Sequence, residues 1–161
     1  MTTYYLDASA LVKNYVKESG STWVRQIVAA DESNIVTGTL SLPEVGAAFA
    51  ILARTGRLTK REGREVFDLF FDDVNKLITV AEVTLSIAMA AANLTQRYPL
   101  KGYDAVHLAT ALSLARDLYT GGLTSTLVTG DDQMIRAARS EGLPTANPFD
   151  YAHLDHSEAT R

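Results

Sequence analysis

What most constrains this chain is the alternation of short apolar runs with longer helical periodicities. Residues 4–6, 35–37, 77–80 and 127–129 are brief and mainly apolar, the pattern of strands buried on both faces. Between and after them, residues 9–16, 22–30, 42–54, 60–74, 85–97, 103–118 and 132–140 repeat apolar positions at helical spacing, and Gly142 stops the last. Parallel strands need long crossovers, and helices supply them. The pattern predicts an α/β fold, a three-layer α/β/α sandwich around a short, mostly parallel central sheet. The segment LPTANP adds at most one edge strand, because Pro144 and Pro148 exclude a long central one. No repeat, linker or low-complexity stretch divides the chain. One domain over residues 1–150 is expected, then a polar tail over 151–161 that looks frayed from His153 onward.

Acids recur where such strands end. Asp7 follows Tyr4-Tyr5-Leu6, and Asp131 follows Leu127-Val128-Thr129-Gly130. Both leave a strand at the carboxyl edge of the sheet, where ligands of open parallel sheets bind. Either acid alone reads first as a helix cap. Glu44 and Asp104 shift that balance, since each opens a helix beside residues that point into the core. Four partly buried carboxylates repel one another unless something neutralises them. A hard divalent cation does so, and an all-oxygen donor set without cysteine points to Mg²⁺, with Mn²⁺ as a substitute. Asp131 is the expected site acid of the adjacent pair, and Asp132 is expected to start the helix as a cap or an outer acid.

The net charge of −4 does not exclude a nucleic-acid partner, because grouped acids that hold cations are cancelled locally. The absence of cysteine excludes disulfides and thiolate metal sites. No apolar run approaches the ~20 residues a membrane span needs, and the N-terminal stretch has no basic region and meets Asp7 early. No membrane partner and a cytoplasmic setting are expected.

The series YLDASALVKNYV, LSLPEVGAAFA, GYDAVHLATAL and LVTGDDQMIRAARSEGLPTANP resembles the PIN-domain nucleases, and among them most the VapC-type toxins of type II toxin–antitoxin pairs. The resemblance covers residues 4–148 with its motifs in family order. It implies an endoribonuclease whose catalytic and metal-binding acids are Asp7, Glu44, Asp104 and Asp131, with Asp7 and Asp104 the most direct ligands. Ser9 and Thr129 correspond to small hydroxyl residues that support the metal cluster. A metal-activated water would attack phosphorus in line and release the 3′-oxygen. The expected partners are an RNA substrate, a cognate antitoxin held by helices near residues 60–74, and a second copy of the chain as a homodimer.

Other side chains carry two readings each. Arg54, Arg57, Lys60, Arg61 and Arg64 form a basic run that suits phosphate contact or a solvated turn. Lys13 and Lys101 stand near acid motifs and are further candidate RNA contacts. Tyr5, Tyr98 and Tyr103 are candidates for base stacking, with packing the more common role. His107, one turn after Asp104, reads as a structural histidine near the site, and His153 and His156 as solvated. Val66, Phe67, Phe70 and Phe71 read as the inner stripe of a helix. The competing function is a catalytically inactive PIN-fold RNA- or protein-binding module. A phosphatase or phosphoacceptor is disfavoured, since DAS after the first strand lacks the second acid of a DxD site.

Overall fold

In the structure, a computed structural model that describes residues 1–160 and side chains through His156, five strands form one sheet. They are β1 (Thr2–Leu6), β2 (Ser33–Gly38), β3 (Ile78–Ala81), β4 (Ser125–Val128) and β5 (Thr145–Ala146). Their order is β3-β2-β1-β4-β5, and every pairing is parallel. The helices are α1 (Ala8–Tyr15), α2 (Ser21–Ala29), α3 (Ser41–Arg54), α4 (Lys60–Lys76), α5 (Leu85–Arg97), α6 (Gly102–Tyr119) and α7 (Asp132–Ser140). A 3-10 segment, Pro148–Thr160, follows.

The strands show why both faces must be covered. Along β1, Tyr4 and Leu6 enter the core beneath α1 to α4, whereas Tyr5, between them, enters the core beneath α5 to α7. In β2, Ile35 and Val36 divide in the same way, as do Val128 and Leu127 in β4. Period-two alternation with apolar residues at both phases is what a doubly covered sheet requires.

Local chemistry sets the helix starts. Thr59 and Glu62 form a reciprocal capping box at α4, and the Thr84 hydroxyl caps α5. At α3, Leu40 offers no side-chain cap. Buried Ser41 is instead held at 2.6 Å by Thr37, whose hydroxyl also donates to Leu6 O at 2.7 Å. That pair ties the end of β1 to the start of α3.

Two expectations need correction. On α4, Phe70 is fully buried, but Phe67 is 41% exposed and lies over Gly46 of α3, so the inner stripe is narrower than its spacing suggests. The segment from His153 is not frayed through its described part. The Asp155 carboxylate accepts from the backbone N–H groups of Gly20 at 2.6 Å and Thr22 at 2.9 Å, and Tyr151 stacks on Trp23 at 4.2 Å. Helix α2 begins at Gly20 with no side-chain cap of its own, and Asp155 supplies the acceptor from the far end of the chain. Arg161 lies outside the described residues. No described helix is long and apolar enough to cross a membrane.

Candidate active site

The chain builds β1, β2 and β3 outward in one direction, then returns to add β4 and β5 on the other side of β1. The strand order therefore reverses between β1 and β4, and the crevice beyond their carboxyl ends is where such sheets bind ligands. Asp7 leaves β1 and Thr129 leaves β4 at that point. The ladder continues into both loops, with Asp7 N donating to Val128 O at 3.2 Å and Thr129 N to Ala146 O at 3.2 Å.

Asp7 is 5% exposed, and both of its oxygens are engaged. Oδ1 accepts from Ser9 Oγ at 2.8 Å and from Ala10 N at 2.8 Å, and Oδ2 accepts from Thr129 Oγ1 at 2.6 Å. Thr129 is fully buried, and its oxygen in turn accepts from Asp131 N at 3.1 Å. Asp131 Oδ1 takes Met134 N at 2.8 Å. Both acids thus cap helices, Asp7 for α1 and Asp131 for α7, while standing in the crevice. A capping role is compatible with a site role, because a helix N-terminus at a strand exit holds its carboxylate at the sheet edge. Asp132 is the exposed first residue of α7, and the N-cap of that helix is Asp131, so the expectation of Asp132 as the cap is corrected.

Glu44 sits in the first turn of α3 and Asp104 in the first turn of α6. The Glu44 Oε2 lies 2.6 Å from His107 Nε2, so that nitrogen carries the proton and donates. His107 Nδ1 is 3.0 Å from the Tyr5 hydroxyl, and both rings are buried. Burial pushes the Tyr5 phenol far above its ordinary range. Tyr5 therefore anchors a histidine within the fold and presents no face for base stacking. Asp104 is pushed above the usual carboxylate range, first by burial and then by the charge of Asp131. Asp7 adds to this, and Lys101 and His107 oppose it. Asp104, Asp131 and Asp7 thus share one electrostatic environment.

The oxygen-only donor set and the mutual repulsion at Asp104 suit a hard divalent cation. Among the described residues, however, no three His, Asp or Glu side chains converge into a group able to hold a metal ion. Asp7, Asp131 and Glu44 each spend an oxygen on a protein donor.

The cationic candidates divide. Lys13 is buried, with Nζ 3.4 Å from Glu18 Oε2 and over the Phe149 ring at 4.5 Å. Arg57 reaches the other oxygen of Glu18 at 3.5 Å, and Arg61 pairs with Glu65 along α4. Arg54, Lys60 and Arg64 are exposed, as is Lys101 at the start of α6. Tyr103 is exposed one residue before Asp104, whereas Tyr98 bonds Glu141. Phe149 and Glu18, neither singled out by sequence patterns, complete the wall beside Asp131.

Residues 4–140 match the PIN domain family profile. The chain belongs to the PIN domain family. Its similarity to Ribonuclease VapC49 of Mycobacterium tuberculosis is 33% identity over 114 residues, 71% of this chain and 78% of that protein. With Ribonuclease VapC46 of the same species it shares 30% identity over 148 residues, covering 92% and 99% of the two chains. Among solved PIN-fold structures, VapBC2 from Rickettsia felis, bound to a promoter DNA fragment, superposes with a TM-score of 0.62. That match has 14% identity and covers 91% of this chain and 98% of the other. The all-parallel five-stranded sheet is the architecture of that fold, and within the family this chain is most like the VapC-type proteins.

Proposed function

We propose that this PIN-domain protein is a Mg²⁺-dependent endoribonuclease, the toxin of a type II toxin–antitoxin pair. The observation that carries the reading is the placing of Asp7 and Asp131 at the exits of β1 and β4, where the strand order reverses, with Asp104 raised by burial and by the charges of Asp131 and Asp7. The ribonuclease relatives named above support it. Asp7, Asp104, Asp131 and Glu44 would hold the ion, and Mn²⁺ suits the same oxygens. When bound, the ion supplies a Lewis acid that activates water and neutralises charge on the scissile phosphate.

The chain's own residues do the rest by position. Asp7 is fixed by three hydrogen bonds, and Thr129 locks it to the loop that carries Asp131. His107 would hold Glu44 in place, as second-sphere donors orient ligating carboxylates. Lys101, exposed and near enough to Asp104 to oppose its shift, would meet the phosphate backbone. Hydrolysis breaks the bond from phosphorus to the 3′-oxygen, leaving a 5′-phosphate and a 3′-hydroxyl. A cognate antitoxin, a homodimeric state and a cytoplasmic setting belong to the same proposal.

Purified protein is expected to cut RNA with Mg²⁺, and EDTA or Asp104→Asn is expected to stop it. Cleavage that survives Asp7→Asn and Asp104→Asn together overturns the proposal. The competing reading, an inactive RNA- or protein-binding module, draws on the acids' protein hydrogen bonds and on the lack of a converged group of three. RNA affinity without any cleavage would favour it.

A further inference from the structure

A cleft of about 460 Å³ opens beside Asp131. Its lining includes Ser9, Lys13, Glu18, Gly130, Asp131 and Phe149. Phe149 is 49% exposed, although the chain invests heavily in holding it there. Its backbone N–H donates to Asn147 Oδ1 at 3.0 Å, and beyond it Tyr151 and Asp155 fasten the segment to α2. The ring lies against Gly130, where a Cβ would stand 2.6 Å from Cε2 of Phe149. Gly130 therefore lets an aromatic ring abut the loop between Thr129 and Asp131. Lys13, buried and paired with Glu18, sets its ammonium 4.5 Å from the ring centre. An exposed aromatic ring, held in place, backed by a cation and sharing its cleft with Asp131, has the make-up of a stacking platform for a nucleobase.

We infer that Phe149 is a substrate-positioning residue that stacks one unpaired base next to the scissile phosphate, with Lys13 fixed beneath the ring. This rests on the ribonuclease reading and names the part of the substrate that the cleft takes. A base inside a duplex presents no face to such a ring, so the cleft selects a nucleotide free of its pairing partner.

The test uses the full chain and an RNA oligonucleotide that it cleaves with Mg²⁺. Each nucleotide flanking the cut is replaced in turn by an abasic spacer. At one flanking position the spacer is expected to raise KM by about tenfold with kcat nearly unchanged, the scale of one base–aromatic stack. Phe149→Ala is expected to show that same KM rise on intact RNA and no further rise with the spacer. Phe149→Leu keeps the packing on Gly130 if the alanine variant folds poorly, and is expected to behave alike; Phe149→Tyr restores KM.

A Phe149→Leu enzyme with wild-type KM, or one as sensitive to the spacer as the wild type, overturns the inference. So does a fall in kcat at constant KM, the sign of a merely structural ring. A cleft that takes a peptide instead gives the first of these results. RNA left uncut by the wild type contradicts the nuclease reading and this subsite with it. RNA cut without regard to Phe149 contradicts the subsite alone.

Discussion

Thr129 donates its hydroxyl to Asp7 Oδ2 at 2.6 Å, joining the ends of two neighbouring strands across 122 positions of chain. Thr129 Oγ1 also accepts from Asp131 N, so one buried hydroxyl ties Asp7 to the loop of Asp131. Thr129→Val keeps the shape and removes both bonds, leaving a buried carboxylate oxygen without its donor. A loss of about 1–3 kcal/mol is expected in denaturant unfolding, with Thr129→Ser close to wild type. Equal stability of the valine and serine variants would show that the hydroxyl contributes nothing.

Asp104 carries a pH prediction. Burial and the charges of Asp131 and Asp7 raise its folded pKa, so the folded state prefers the neutral acid. Its stabilising contribution is whole below the ordinary aspartate pKa and is lost as pH rises through the elevated folded value. In metal-free protein, Asp104→Asn is therefore expected to raise Tm at neutral pH, and that advantage is expected to shrink as pH falls through the carboxylate range. A Tm difference independent of pH would contradict the like-charge account.

His107 joins Glu44 on α3 to Tyr5 on β1. His107→Ala leaves the Tyr5 hydroxyl buried without that partner and opens a cavity, for an expected loss of roughly 2–4 kcal/mol. His107→Phe refills the space but not the bonds and should recover only part of that loss. Chemical denaturation of the two variants separates packing from hydrogen bonding.

At the other end of α2, Asp155→Ala removes the acceptor for Gly20 N and Thr22 N, an expected cost of about 0.5–2 kcal/mol. Gly20→Ala should cost more, since φ is 83° there and a Cβ would lie 2.3 Å from Pro148 O. Trp23 is the sole tryptophan, so its fluorescence reports whether Tyr151 has left its ring in either variant.

Much of this fold was legible from periodicity alone. The strands and helices announced themselves, because burial on both faces leaves short apolar runs and the crossovers leave helical spacing. The placing of Asp7 and Asp131 at strand exits was legible because both stand at the switch between apolar run and helix. Long-range contacts were not. Nothing local to Asp155 signals that it caps a helix begun at Gly20, and nothing around Phe149 signals a ring set against Gly130. Phe67 carried the spacing of an inner residue, yet α4 meets the core through a narrower face. The Tyr5–His107–Glu44 chain joins three elements whose proximity only the folded sheet creates.

The central claim is that Asp7, Glu44, Asp104 and Asp131 act together in holding divalent metal. Calorimetric titration of Mn²⁺ into the metal-free protein tests it most directly, without dependence on any RNA. The wild type is expected to bind, and Asp7→Asn and Asp104→Asn are each expected to bind at least roughly tenfold more weakly. Wild-type affinity retained in both variants, or no binding by the wild type, would contradict it.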